Sequence, residues 1–423
     1  MIVFKFGGAS VNSAAAVRNM AEIVRRYYGR RLAIVVSAMG KTTNNLERLV
    51  PGVSPESEIP ALLDKVEEYH WQIVRELMPD PGNEVYHAVS MMFSHLRKAI
   101  AANPSHTPAS YNADYDRVVC FGELISTTII SHYLNYLGLK NQWVDVRRII
   151  ATDANHREGK VDWERTRSNM QALDSMISSD TMVVTQGFIA GAPDGTSTTL
   201  GREGSDYSAA ILSHCLGAES MTIWKDVPGF LNADPKFFSD TVKIAQIPYN
   251  EAIELAYYGA SVIHPKTVKP LQNRNIKLNI RSFIDPEADG SVVGPFERIE
   301  PATPLYIFRN QQVLLSILPK DFSFIAEDNL QKIFGVLAEV GVRVNMMQNS
   351  ALSFSVVVDD NAQLLDSMIS RLGETFRVRY NRGLQLITIR YYTQAVIDRI
   401  VAGRPILLEQ RSRSTVQVLV AER

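Results

Sequence analysis

Five short segments of the chain combine glycines with cationic, hydroxyl or acidic side chains in patterns suited to phosphate and carboxylate chemistry. Lys5-Phe6-Gly7-Gly8 stands between a short apolar run and a helical pattern. Glycines there let backbone N–H groups approach a phosphate, the helix start adds partial positive charge, and the lysine can neutralise a phosphoryl group in transfer. The order matches neither the P-loop nor G-x-G-x-x-G, and a turn glycine pair beside a solvated lysine is its ordinary alternative. Thr198-Thr199-Leu200-Gly201-Arg202-Glu203-Gly204-Ser205-Asp206 is less ordinary. Two glycines flank an arginine whose planar fork matches a carboxylate, and the loop opens a helix whose first N–H groups are free donors. Its alternative is a charged turn before a capped helix. Trp224-Lys225-Asp226-Val227-Pro228-Gly229, with Asp234-Pro235-Lys236 close behind, offers cations for phosphates and a carboxylate for a nucleotide or metal, or else a solvated turn. Ser37-Ala38-Met39-Gly40-Lys41-Thr42-Thr43-Asn44 puts hydroxyls at a helix entrance. Gly122-Glu123 puts a carboxylate at the start of another helix, where the helix dipole alone would favour it.

Other chemistry has little footing. The eight histidines show neither HExxH nor a paired i,i+4 spacing, and no metal-ligand set emerges. No serine has a G-x-S-x-G context. His264-Pro265-Lys266 reads as a loop, and the basic run Arg25–Arg31 as a solvated helix end.

The elements that must position these segments alternate. Ile2–Phe6, Leu32–Ser37, Gln142–Val146, Met182–Gln186, Met221–Trp224 and Lys277–Arg281 read as strands, with helical patterns between most of them. Ser13 is a candidate N-cap for the first helix, and a helix runs from Gly122 to Leu137. Asn103–Asp116, with two prolines, is expected to be a loop. Such alternation predicts an α/β domain with a mostly parallel, twisted sheet covered by helices on both faces. Ligands then sit beyond the carboxyl ends of the strands, where the unusual residues lie. Asp285–Pro304 is rich in Gly, Pro and acidic residues and reads as a domain boundary, giving domains at 1–297 and 305–423. Beyond it β-α-β-β-α, close to a ferredoxin-like half, is followed by a second, incomplete round that ends without its second helix.

Composition narrows the class. With 423 residues, 46% hydrophobic and 21% charged, the chain has ample material for a large core and is neither disordered nor collagenous. Its 44 basic and 45 acidic side chains give no overall attraction to nucleic acid or anionic lipid. Cys120 and Cys215 form no disulfide framework and read as reduced thiols. No leader pattern or membrane-length apolar run is seen, so a cytoplasmic protein is expected.

Taken in chain order, KFGGAS, VVSAMGKTTN, FGELIST, TTLGREGSDYSAA, WKDVPGFLNADPK and YYGASVIHPKT resemble the aspartokinases of the amino-acid kinase family. The C-terminal pattern is similar to their paired ACT modules. The resemblance implies a three-layer α/β/α amino-acid kinase fold with ferredoxin-like ACT modules and a homodimer. It also implies transfer of the γ-phosphoryl of ATP to the side-chain carboxylate of L-aspartate, with Mg²⁺ bridging ATP oxygens, as the first step of lysine, threonine and methionine biosynthesis. By the same resemblance Lys5 neutralises the transferred group, and Phe6, Gly7 and Gly8 face the phosphates. Arg202 clamps a substrate carboxylate in a pocket with Gly204 and Ser205. Glu123 pairs with the α-ammonium, Thr43 hydrogen-bonds the substrate, and Asp206 helps orient these groups and the nucleotide. Lys225, Asp226, Leu231, Lys236, Ser261 and Val262 match nucleotide-contacting positions, and an amino-acid effector would bind the ACT-like region.

Some residues depart from the family pattern. Ala9 replaces a threonine, Leu231 a tyrosine, Ser261 a lysine and Asn345 an effector-binding aspartate, and Lys320–Phe324 stands in place of a glycine-rich turn. Two rival readings stand beside the kinase. One is a relative acting on glutamate, which a single methylene separates only weakly, on acetylglutamate or on another carboxylate. The other is a catalytically dead amino-acid sensor.

Overall fold

The computed structural model describes residues 1–102, 108–238, 240–260, 263–321 and 323–422. The chain divides into two compact units. Unit 1 comprises Met1–Phe230, Lys243–Ile253 and Ser261–Pro301, and unit 2 comprises Leu231–Val242, Glu254–Ala260 and Ala302–Arg423. Two stretches before residue 297 therefore pack with the C-terminal half.

In chain order the first elements are β1 (Ile2–Phe6), α1 (Ala14–Arg25), β2 (Leu32–Val36), α2 (Thr42–Glu47), α3 (Ile59–Leu77), α4 (Glu84–Ala101), α5 (Pro108–Val119) and α6 (Phe121–Tyr136). Next come β3 (Asn141–Val144), α7 (Trp163–Met176), β4 (Met182–Gln186), β5 (Ile189–Gly191), β6 (Ser197–Thr199), α8 (Gly204–Leu216) and β7 (Ser220–Lys225). They are followed by β8 (Phe230–Leu231), β9 (Lys243–Ile244), β10 (Gln246–Pro248), α9 (Tyr249–Tyr258), α10 (Pro265–Gln272), β11 (Lys277–Ser282) and β12 (Ser291–Gly294).

Unit 1 is built on an eight-stranded sheet of order β10-β12-β11-β7-β1-β2-β4-β3, in which β11–β12 is antiparallel and the other pairs are parallel. Every residue of β1, β2 and β4 is buried, as expected of strands covered on both faces. Lys5 lies between Val35 of β2 and Ile223 of β7, so the loops after three central strands open on one edge. The Ser13 hydroxyl caps α1 by accepting from Ala16 N–H at 3.2 Å. Helix α6 is buried along nearly its whole length, which places Glu123 inside the domain.

Two expectations, on 103–116 and on His264, need correction. The stretch expected to be a loop over 103–116 contains α5; Pro108 takes the first helical position, where a missing N–H costs nothing, while 103–107 lie outside the described residues. Within 285–304 the chain passes from unit 1 to unit 2 at Pro301/Ala302, and the part before that break includes β12, an antiparallel partner of β11. Gly290 permits this approach, since a Cβ there would collide with the Ile280 carbonyl oxygen. His264 is not a plain loop residue but the N-cap of α10, its Nδ1 accepting from Lys266 N–H at 3.2 Å.

Unit 2 continues with β13 (Leu305–Pro319), α11 (Glu327–Val340), β14 (Val344–Asn349), β15 (Phe354–Asp359), α12 (Ala362–Thr375), β16 (Phe376–Arg390), α13 (Gln394–Val401), β17 (Ile406–Arg411) and β18 (Thr415–Ala421). They form one antiparallel sheet of order β14-β15-β13-β16-β18-β17. The long strands β13 and β16 are shared. Their Gln312–Pro319 and Phe376–Asn381 halves belong to a complete β-α-β-β-α-β module whose core includes Leu315, Ile333, Leu365 and Met368. The other halves join α13, β17 and β18 in a second layer, where Ala233 and Phe238 of the 231–242 stretch pack with Ile387, Ile397 and Val418. This is the α+β, ACT-like arrangement expected of the C-terminal half.

Candidate functional site

A cleft of about 880 Å³ opens at the carboxyl edge of the unit 1 sheet. Its floor carries Lys5, whose position near the end of β1 keeps it largely buried. The Lys5 Nζ is 2.6 Å from Asp206 Oδ1, and Lys225 Nζ is 3.7 Å from Asp206 Oδ2. Asp206 is fully buried in the first turn of α8. Burial works to raise its carboxyl, but the Lys5 and Lys225 ammoniums outweigh it and hold the pKa below the ordinary carboxylate range. Asp206 is thus a fixed anion that aims two cations.

The loops after β1 and β2 meet backbone to backbone. Gly40 N–H donates to the Gly8 carbonyl at 3.0 Å, and a Cβ on Gly8 would lie 2.8 Å from the Ala38 carbonyl oxygen. Any larger residue at Gly8 would push these loops apart. Thr42 turns inward, its hydroxyl donating to the Met39 carbonyl at 2.6 Å, while Thr43 lines the cleft.

Glu123, in the first turn of α6, also lines the cleft although it is only 2% exposed. Its Oε1 accepts from Ala38 N–H at 3.3 Å, and its buried Oε2 has no hydrogen-bond partner among the described residues. Burial pushes its carboxyl up to about 8, with the Ala38 N–H pulling the other way. Gly122 permits this packing, because a Cβ there would sit 2.9 Å from Ala38 Cβ.

Arg202 lines the same cleft between Gly201 at φ +74° and Glu203 at φ +55°, a tight reversal that leads into α8. Its guanidinium is exposed and makes no ion pair or hydrogen bond among the described residues. Gly204 and Ser205 complete this wall; a Cβ on Gly204 would lie 2.6 Å from Phe188 Cδ2. The cleft therefore presents a buried carboxylate oxygen without a partner and an unpaired guanidinium, with a buried lysine on its floor.

The remaining expected site residues sit elsewhere. Phe6 is a core side chain stacked on Trp224 at 6.1 Å, and Gly7 lies in the turn beside Lys5. Asp226 is exposed in the turn after β7. Leu231 and Lys236 fall in unit 2, and Ser261 and Val262 lie outside the described residues.

The sequence reading missed one wall of the cleft, formed by Tyr115, His156 and Arg157. The Arg157 guanidinium lies over the Tyr115 ring at 4.3 Å, and burial drives the Tyr115 hydroxyl up to about 12. The available signal was the basic His156-Arg157 pair just ahead of Gly159, in a loop between strand and helix.

Among families, that described as the amino acid kinase family matches residues 1–282. The lysine-sensitive aspartokinase 3 of Escherichia coli K12 is 31% identical over 405 residues, 92% of this chain and 86% of the relative. Chloroplastic aspartokinase 1 of Arabidopsis thaliana is 31% identical over 364 residues, 84% of this chain but only 63% of the relative's length. The crystal structure of E. coli aspartokinase III with aspartate and ADP, in its R-state, matches with a TM-score of 0.83 at 28% identity, covering 100% of this chain and 96% of that one. The same enzyme with lysine and aspartate, in its T-state, matches at 0.81 with the same identity and coverage.

Proposed function

The chain belongs to the amino acid kinase family, among its aspartokinases, and from this we infer its reaction. It is an aspartate kinase: the γ-phosphoryl of ATP passes to the side-chain carboxylate of L-aspartate, giving 4-phospho-L-aspartate and ADP and opening lysine, threonine and methionine biosynthesis. The observation that carries this reading is the pairing in one cleft of the partnerless Glu123 Oε2 with the unpaired Arg202 guanidinium. One suits an α-ammonium and the other an α-carboxylate, so together they favour a free amino acid over an N-acylated one.

An aspartate side chain has a pKa near about 3.9 and is already anionic at pH 7, so no general base is needed. The obstacle is bringing an anion against a polyphosphate, which cations and oriented N–H groups must overcome. Lys5, held by Asp206, neutralises the phosphoryl group in transfer. Arg202 and Glu123 fix the α-carboxylate and α-ammonium, with Thr43, Gly204 and Ser205 around them. Gly7 and Gly8 admit the phosphates, with Lys225 and Asp226 on the nucleotide side; Leu231, Lys236, Ser261 and Val262 are assigned to nucleotide contact by the family resemblance alone. Mg²⁺ would reach the cleft with ATP. No cluster of three His, Cys, Asp or Glu side chains that could hold a metal occurs among the described residues, and Asp206 already serves two lysines. Phosphate oxygens and water suit such an ion, which supplies charge neutralisation.

The same proposal assigns residues 1–297 to catalysis and 305–423 to regulation by two ACT-like modules, the second incomplete. It also includes a homodimer, an amino-acid effector at the ACT-like region and a cytoplasmic location. No helix among the described residues is long and apolar enough to cross a membrane. The test is ADP release from Mg-ATP with aspartate, glutamate, acetylglutamate or no acceptor, with hydroxylamine trapping the acyl phosphate. Aspartate-dependent release with a trapped hydroxamate is expected. ATP binding without turnover on any acceptor would leave an amino-acid sensor.

A further inference from the structure

Behind the acceptor wall of the cleft lies Asp116, fully buried near the end of α5. Three donors converge on its carboxylate. Oδ2 accepts from His156 Nδ1 at 3.0 Å and from the backbone N–H of Arg157 at 2.9 Å, and Oδ1 accepts from the Thr199 hydroxyl at 2.7 Å. Burial raises the Asp116 carboxyl against the pull of these donors.

The donors come from two separate loops that meet at the acceptor end. His156 and Arg157 line the cleft, while Thr199 closes β6 and leads directly through Leu200 and Gly201 to Arg202. The loops are also joined to each other, since Gly159 N–H donates to the Thr199 carbonyl at 2.9 Å. Arg157 is held at φ +67°, a left-handed conformation that few non-glycine residues adopt and that persists only where the surroundings impose it. The hydrogen bond from its own N–H to Asp116 is part of what imposes it.

We propose that Asp116 is a positioning residue for the phosphoryl acceptor: this one buried carboxylate sets the 155–158 loop and the approach to Arg202, and through them the affinity for aspartate. The proposal rests on the aspartate kinase reading above. Asp116→Asn is the direct test, because an amide keeps one acceptor oxygen and turns an NH₂ group against the remaining donors. The aspartate KM should rise by about tenfold or more, with the ATP KM changed less than about twofold. Thr199→Val removes one of the three bonds and should raise the aspartate KM in the same selective way, and Thr199→Ser should restore it.

A merely structural role would lower the thermal midpoint without this split. An unchanged aspartate KM in folded Asp116→Asn, or an equal rise in both KM values, would overturn the inference. If that variant does not fold, the Thr199 pair decides on the same criterion. Wild-type enzyme that turns over aspartate while the variants keep its KM sinks only this inference, whereas wild-type enzyme inactive on aspartate sinks the reading beneath it.

Discussion

Glu123→Gln should make the free protein more stable in alkaline buffer while crippling aspartate recognition. The carboxyl lies at about 8 in the fold because of burial, against 4.5 for the ordinary side chain. Below pH 4.5 both folded and unfolded chains hold the proton, so the shift costs nothing there. Between the two values the unfolded chain has released a proton that the fold retains, and each pH unit removes about 1.4 kcal/mol of stability. Above pH 8 the loss levels off. From pH 5 to pH 8.5 the wild type should lose about 4 kcal/mol through this one group. Glutamine carries no such dependence. It can still accept from Ala38 N–H, and its unpartnered NH₂ adds a cost of about 1–3 kcal/mol that is the same at every pH. The diagnostic quantity is therefore the change in the wild-type–variant difference with pH, not the difference itself. Trp71, Trp143, Trp163 and Trp224 all lie in unit 1, so guanidinium denaturation followed by tryptophan fluorescence reads that unit. Parallel pH profiles for the two proteins would refute the uncompensated burial of Glu123. The same linkage acts on binding. Pairing with an ammonium needs the charged carboxylate, so wild-type aspartate affinity should climb by up to about tenfold per pH unit towards pH 8 and then flatten. The variant should bind weakly with a flat profile.

Lys5→Ala should lower kcat by at least about 10³-fold while calorimetry still detects aspartate, because its charge matters most in the transition state; unchanged turnover would remove Lys5 from the chemistry. It also leaves Asp206 with one cation, so unit 1 should lose about 3 kcal/mol, and adding Asp206→Asn should recover part of that stability but none of the turnover. Arg202→Ala should raise the aspartate KM by about 10–100-fold with little effect on ATP, as expected for one charged hydrogen-bonding partner; an unaltered aspartate KM would move the acceptor pocket elsewhere. Gly122→Ala, whose new methyl would meet Ala38 Cβ at 2.9 Å, should displace the N–H that holds Glu123 and weaken aspartate more than ATP.

The strands and motif loops were legible because their signals are local. Ile2–Phe6, Leu32–Val36 and Met182–Gln186 are apolar throughout since both their faces are covered, and Lys5, Glu123 and Arg202 stand within a few residues of a strand end or helix start. The misses have a different origin. The prolines that suggested a loop at 103–116 include the one that begins α5, and Pro265, in a stretch that read as a loop, opens α10 behind the His264 cap. The role of Asp116 is written in partners 40, 41 and 83 residues away, which no local pattern could contain.

The same distinction separates Glu123 from Asp206, two buried carboxylates that look alike as acids at helix starts. Asp206 is met by Lys5 and Lys225 and its pKa falls; Glu123 is met by backbone N–H groups and no cation, and burial raises its pKa. Removing a carboxylate from water is costly unless a cation returns the lost solvation. A fold that leaves Glu123 without that cation, beside an open cleft, is spending stability at a point where only an incoming positive charge can restore it. Asp206 is therefore the machinery's internal anchor, and Glu123 is the group waiting for substrate.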